Sequence, residues 1–137
     1  MFGNQSAAKQ NSAECSNRDY DFFYDGLELN ELRIQTCDNC GQMRNPPSPM
    51  CPKCQSLAWS PRVMSGQGTI FSYTIHHHPP LPGFTSPHPV GVVELQEGIR
   101  FVSGLDGIAP EDVAIGVPVE AEFLRRGNLA SVRFKLA

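Results

Sequence analysis

The sequence predicts a mainly β fold with a short N-terminal helix, a cysteine-rich segment and a C-terminal barrel of five strands. Three observations predict it. Residues 37–54 hold two CxxC pairs, and residues 65–137 alternate apolar and polar side chains with a period of two. Twelve glycines and twelve prolines favour turns and strands over long helices. A chain of 137 residues is long enough for one core with a small satellite.

Four segments are expected along the chain. Residues 1–15 are polar and low in bulky apolar groups, so we expect them to be disordered. A helix is expected within residues 16–31, a metal-binding ribbon at 32–64 and the barrel at 65–137. Cys15 lies in the polar lead, where we expect a free thiol without a role.

The helix is predicted from a capping pattern followed by an apolar stripe. Ser16 and Asp19 have the S-x-x-D spacing of a capping box. The stripe follows at positions i, i+3, i+4 and i+7, and it consists of Tyr20, Phe23, Tyr24 and Leu27. Such a stripe packs on the chain's own ribbon or forms a docking helix for a partner, and the sequence leaves both interpretations open.

Five strands are predicted in the barrel from period-two alternation. They cover the stretches TIFSYTIHHH, PVGVVELQ, IRFVSGLDG, VPVEAEFL and SVRFKLA. Turn residues separate them at 97–98, 106–107 and 127–128, and one helical turn is expected at 109–113. Five short strands with one such insertion are typical of a Greek-key barrel of the OB type.

The two cysteine pairs predict a tetrahedral metal site. Their C-x2-C-x10-C-x2-C spacing lets four thiolates surround one Zn²⁺, and the ligands are Cys37, Cys40, Cys51 and Cys54. A site saturated by four thiolates is structural, because no position stays open for water or substrate. Iron in a rubredoxin-like site, and ordinary buried or disulfide cysteines, are the alternatives. Gly41 follows the first pair, whereas Gln55 replaces the usual glycine after the second.

The first barrel strand ends in three histidines that run into a proline-rich loop. His76, His77 and His78 are interpreted as polar residues at a strand end, with a ligand or partner surface as the alternative. The prolines stiffen the loop in extended form, and Phe84 at its tip is a candidate docking residue.

Composition and motifs exclude several functions. A net charge of −3 and a pI near 5.7 argue against a nucleic-acid surface. No apolar run predicts a membrane span, and the N-terminus has no signal pattern, so we expect a cytoplasmic protein with reduced cysteines. The sequence contains no nucleophile–base set, P-loop or GxGxxG motif, so no catalytic residue is assigned and the ligand-binding residues are left undetermined.

These motifs, in this order, resemble one family. The stretches that carry the likeness are YDFFYDGL, LRIQTC, CDNCGQMRNPPSPMCPKC, GQGTIFSYTIHHHPPLPGF, VGVVELQEGIRFVSGLDG and IGVPVEAEF. They resemble bacterial and archaeal zinc-ribbon and OB-fold proteins described as acyl-CoA-associated, the family called domain of unknown function thirty-five. The likeness runs from about Tyr20 to the C-terminus, and it implies that the four cysteines bind zinc.

The resemblance also implies a function in a complex. Members of that family work with a thiolase-superfamily subunit, so it implies a non-catalytic subunit of a hetero-oligomer, expected to be a heterotetramer. This subunit would support the partner's fold and its acyl-CoA channel. The run HHHPPLPGF is most similar to members associated with steroid side-chain degradation, which implies a steroid-CoA aldolase. A thiolase, acyltransferase or hydratase complex, a single-stranded nucleic-acid binder, and an enzyme in its own right are the alternatives.

Overall fold

The computed structural model of the protein describes residues 18–80, 82–83 and 86–137. The lead expected to be disordered lies outside these ranges, as do Cys15, Ser16 and Phe84. None of the described helices is long and apolar enough to cross a membrane.

The N-terminal helix is shorter than the expected segment. A 3-10 turn, Arg18–Tyr20, leads into α1, Asp21–Glu28, whose first residue has no side-chain cap. α1 therefore begins later than the capping pattern predicts. It ends where Asn30 takes a φ of +59° and the backbone N–H of Glu31 donates back to the Gly26 carbonyl, 2.8 Å away.

The cysteine-rich ribbon forms an antiparallel sheet of three strands in the order β2-β1-β3. The strands are β1 (Arg33–Cys37), β2 (Met43–Arg44) and β3 (Trp59–Val63). Only β1 is predicted from the sequence, in which residues 32–35 indicate a short strand that leads into the cysteines. β2 is two residues long, and β3 contains a proline and is mostly exposed, so neither shows the alternation of a half-buried strand.

The barrel contains the five predicted strands, in the order β6-β5-β4-β7-β8 with antiparallel neighbours. They are β4 (Gln67–His76), β5 (His88–Leu95), β6 (Arg100–Gly104), β7 (Pro118–Arg126) and β8 (Leu129–Leu136). A 3-10 turn, Pro110–Asp112, precedes β7, where one helical turn is expected. Phe101 of β6 packs against Phe134 of β8 with ring centroids 6.1 Å apart, so the sheet is nearly closed. The predicted OB-type barrel is confirmed.

A bulge lies in β4, where the register with β5 shifts between Ile70 and Ser72. Ile70 is buried, whereas Phe71 and Tyr73 are 42% and 43% exposed. The Arg100 guanidinium lies over the exposed ring of Phe71, 3.7 Å from its centroid. The outer face of the barrel therefore carries aromatic surface that the strand pattern does not reveal.

Ribbon and barrel share one hydrophobic core. Leu32, Ile34 and Met64, from the ribbon and its connection to β4, belong to the same buried cluster as the barrel residues Val93 and Phe134. Because these side chains pack together, the ribbon is held firmly on the barrel rather than joined to it by a flexible linker.

Candidate metal centre and aromatic groove

The structure brings the four predicted ligands together. The sulfur atoms of Cys37, Cys40, Cys51 and Cys54 all lie within 4.8 Å of one another. Two sulfur–sulfur distances, Cys37–Cys54 and Cys40–Cys51, are 3.6 Å. Sulfurs about 2.3 Å from one tetrahedral zinc would be about 3.8 Å apart, so the cluster fits that ion. These distances are too long for disulfide bonds, which span about 2 Å.

Two similar turns present the sulfurs. The N–H of Gly41 donates to the Cys37 carbonyl at 3.0 Å, and the N–H of Gln55 donates to the Cys51 carbonyl at 2.9 Å. Gly41 has a φ of +80° and Gln55 a φ of +63°. Gln55 therefore adopts the left-handed conformation that a glycine would take there with less strain.

Backbone hydrogen bonds favour thiolates at two of the four sulfurs. The pKa of Cys37 is lowered, chiefly by the N–H of Cys40, which donates to its sulfur at 3.5 Å. Burial by itself raises the pKa of Cys51, but N–H donors that include Cys54 bring it down to about 6. The N–H of Gln42 lowers the pKa of Cys40, yet burial and the neighbouring sulfurs raise it to about 11.

The cluster is a closed site. Four sulfurs complete a tetrahedron, so a zinc ion held by them would cross-link the ribbon and leave no position for substrate. Within the described ranges, this is the one group of three or more histidine, cysteine or acidic side chains placed to hold a metal. The three histidines do not form a second metal site. The ring of His76 hydrogen-bonds the Pro79 carbonyl at 2.7 Å, and His77 and His78 are exposed.

The aromatic stripe of α1 packs partly on the chain itself. Phe23 lies on Phe101 of the barrel with centroids 5.8 Å apart, and Tyr20 meets Phe23 edge-on at 6.4 Å. Leu27, predicted as a docking residue, is 3% exposed and packs inside the chain. Tyr24 stays half-buried. The stripe therefore makes internal contacts and leaves part of its aromatic surface accessible, and its docking role remains a prediction.

A groove of about 350 Å³ remains where α1, the loop after β2 and strand β6 meet. Its mostly apolar lining includes Tyr20, Phe22, Phe23, Tyr24, Pro46 and Val102. Three of these lining residues were not among the site residues predicted from the sequence: Phe22, Pro46 and Val102. Pro46 and Pro47, two of the three prolines between the CxxC pairs, were a visible signal, but their position beside α1 depends on the tertiary fold.

Comparisons with known proteins identify the same two units. Residues 25–60 match the family model described as the ChsH2 rubredoxin-like zinc ribbon domain. Residues 61–124 match the model described as the ChsH2 C-terminal OB-fold domain.

Three relatives carry informative descriptions. The chain is 44% identical over 109 residues to the 3-oxo-4,17-pregnadiene-20-carboxyl-CoA hydratase alpha subunit of Mycobacterium tuberculosis, covering 80% of this chain and 35% of that protein. It is 35% identical over 91 residues to a DUF35 domain-containing scaffold protein of Methanocaldococcus jannaschii, covering 65% of this chain and 64% of that protein. The solved Ltp2-ChsH2(DUF35) aldolase matches with a TM-score of 0.83 at 40% identity, covering 88% of this chain and 95% of that chain.

These relatives are components of multi-protein complexes, and the chain spans only about a third of the length of the hydratase subunit that it matches. The matches to both domain models and to nearly the whole solved DUF35 chain confirm the resemblance seen in the sequence. The protein is a member of the ChsH2 (DUF35) family of zinc-ribbon and OB-fold proteins.

Proposed function

We propose that the chain is a non-catalytic accessory subunit of a thiolase-superfamily acyl-CoA enzyme, most specifically an aldolase that cleaves the side chain of a steroid-CoA. The observation that carries this proposal is the match to the Ltp2-ChsH2(DUF35) aldolase over 95% of that chain. In this assembly the partner supplies the catalytic acid and base. The present chain supports the partner's fold and its acyl-CoA channel.

The groove is the proposed docking surface for the partner. Phe23 and Tyr24 line it from α1, and Tyr20 lines it from the preceding 3-10 turn. Val102, 66% exposed, lines it from the edge strand β6. Exposed apolar surface next to aromatic rings is typical of the anchor region of a protein interface. Phe84, the other predicted docking residue, lies outside the described residues and remains a prediction.

The metal centre would serve this surface indirectly. Pro46 and Pro47 line the groove and belong to the loop between the two CxxC pairs. That loop has little apolar surface of its own to bury, so the ion would hold it in place. Structural zinc contributes on the order of 10–16 kcal/mol in small peptides, which is ample to order a loop of this size.

A hydratase complex is the second candidate. It is favoured by the 44% identity to the hydratase alpha subunit, although the chain covers 35% of that protein. The non-catalytic role would be the same, but the partner would carry a hydratase fold. A single-stranded nucleic-acid binder would need a positive groove, and the net charge of −3 opposes it.

Co-expression with each partner class tests the proposal. The tagged chain is co-expressed with a thiolase-like protein, and separately with a hydratase-like protein, from the same organism. The assembled mass is measured by light scattering, and cleavage or hydration of a steroid-CoA by mass spectrometry. We expect a hetero-oligomer, predicted to be a tetramer, and carbon–carbon cleavage only with the thiolase-like protein. Hydration and assembly with the other partner alone would replace the aldolase by the hydratase assignment.

Matched surface variants test the docking site. Val102→Glu places a charge in the groove, whereas Ile115→Glu changes an aliphatic residue of similar exposure, 70%, outside it. We expect Val102→Glu to weaken assembly at least tenfold, with thermal stability unchanged, and Ile115→Glu to assemble like the parent. Equal assembly of both variants would move the interface away from the groove and leave the subunit role intact.

A further inference from the structure

Arg44 is a buried cation within the ribbon. Its side chain lies on β2 and is 4% exposed, and its Nε donates to the Gln35 side-chain oxygen at 3.0 Å. Both terminal nitrogens, Nη1 and Nη2, are buried without a hydrogen-bond partner among the described residues. Because arginine stays protonated in proteins, this group carries a full positive charge away from water.

No acidic side chain in the described part of the chain forms an ion pair with Arg44. The neighbouring cation of the ribbon, Arg33, differs in this respect, since its Nη2 lies 2.7 Å from the carboxylate of Glu31. A buried charge is strongly unfavourable unless an opposite charge compensates it. The compensating charge for Arg44 must therefore come from a group other than a carboxylate of these residues.

The strand register places Arg44 on the same face of the ribbon as a metal ligand. Gln35 and Arg44 are direct cross-strand partners, and their hydrogen bond puts both side chains on one face. Alternate residues of a strand share a face, so Cys37 lies on this face as well, about 7 Å farther along β1. The register thus places Arg44 on the ribbon face that carries this metal ligand.

The metal centre has the charge that Arg44 lacks. Four thiolates around one divalent ion carry a net charge of −2, since four negative charges exceed the two positive ones by two. We propose that Arg44 is the counter-cation of this centre and that Gln35 holds it in position. Gln35 is suited to this role because its side-chain oxygen also accepts the N–H of Ser48 at 2.9 Å, which ties β2 to the loop that leads to the second cysteine pair.

A change of the metal's charge separates this role from a purely structural one. For this test, iron is loaded in place of zinc. Reduction of the iron by one electron, with dithionite and a redox mediator, changes the net charge of the iron–thiolate centre from −1 to −2. A positive charge nearby stabilises the reduced state more than the oxidised state, so its removal lowers the reduction potential. An arginine whose charge does not act on the centre would leave the potential unchanged.

The potential is measured for the iron-loaded parent and for variants of Arg44 and Arg62. We expect Arg44→Met to lower it by at least about 59 mV, which is tenfold in the equilibrium constant for one electron. Arg44→Lys, which keeps the charge, should recover at least half of this shift. Arg62→Met removes an exposed arginine from β3 of the same ribbon and should leave the potential at the parent value. If Arg44→Met does not fold, Arg44→Gln provides a neutral side chain that can still hydrogen-bond Gln35.

Zinc retention gives the second readout. Loss of a group that supports metal ligands from outside the coordination shell typically weakens metal binding roughly 10–100-fold. We expect this loss for Arg44→Met and Arg44→Gln in competition with a chelator, and not for Arg62→Met. If Arg44→Met and Arg44→Gln have the same reduction potential as Arg62→Met, the proposal is overturned, whatever the zinc affinity of these variants. In that case the compensating charge would be an acidic group of a partner subunit, and the variants would lose assembly instead.

Discussion

The ring of Phe22 lies against Trp59 with their centroids 5.0 Å apart and their planes at 61°. Phe22 belongs to α1, and Trp59 is the cross-strand partner of the metal ligand Cys37. The helix that lines the groove thus rests on the strand next to the metal centre. Loss of the metal should therefore disturb α1 as well as the ribbon.

Metal removal provides the first prediction. The chain contains one tryptophan, so its fluorescence reports on the contact between Phe22 and Trp59. We expect a chelator to shift the emission to longer wavelength as Trp59 becomes exposed, because a structural zinc provides the order of the ribbon. Zinc should restore the spectrum and magnesium should not. A metal-free protein with the original emission would show that the ribbon folds without the ion.

The two knuckle turns provide the second prediction. Gln55 has a φ of +63°, a conformation that costs a residue with a side chain about 1–2 kcal/mol. We expect Gln55→Gly to raise the free energy of unfolding by up to about 1 kcal/mol, since glycine also gains freedom in the unfolded chain. Gly41→Ala, at a φ of +80°, should lower it by about 1–2 kcal/mol. Urea denaturation of the zinc-loaded variants measures both, and equal signs would contradict the prediction.

The third prediction concerns Gly26 of α1. Alanine in place of a helix glycine usually adds about 0.5–1 kcal/mol of stability. Here a Cβ would lie 2.7 Å from the Arg33 Cδ and 2.9 Å from the Glu31 carbonyl oxygen. Because the Glu31 oxygen belongs to the backbone that ends the helix, we expect Gly26→Ala to destabilise the protein by about 1–3 kcal/mol. Thermal denaturation gives the sign, and a stabilised variant would show that α1 can move away from β1.

The fourth prediction concerns the pH dependence of zinc binding. Zinc binds thiolates, so protons compete with the metal and the affinity must fall as the pH falls. In the metal-free chain the pKa of Cys40 is about 11, so its thiol is protonated at neutral pH. The pKa of Cys51 is about 6, so its thiol is mostly ionised there and takes up a proton only in more acidic solution.

Binding at neutral pH should therefore release the proton of Cys40, and below about pH 6 it should also release that of Cys51. Calorimetry in two buffers with different ionisation enthalpies counts the released protons. The count should rise as the pH is lowered through 6. A count that stays constant across this range would contradict the lowered pKa of Cys51.

The sequence by itself determined the parts of this protein that depend on local spacing. The C-x2-C-x10-C-x2-C pattern indicated the four converging sulfurs, because a two-residue spacing lets both sulfurs of a pair reach one ion. Period-two alternation indicated the five barrel strands, since each has one face buried in the core. The order of these motifs along the chain was specific enough to indicate the family.

Only the tertiary structure decided which side chains from distant segments meet. The charge of Arg44 could be read from the sequence, but its burial depends on the pairing of β2 with β1 and on the loop folded over Gln35. Phe71, at the bulge after Ile70, is exposed beneath the Arg100 guanidinium although it lies within an apolar strand pattern. The groove likewise needs α1, the proline loop and β6 side by side. Such contacts arise from packing over long sequence separations, for which a local pattern carries no signal.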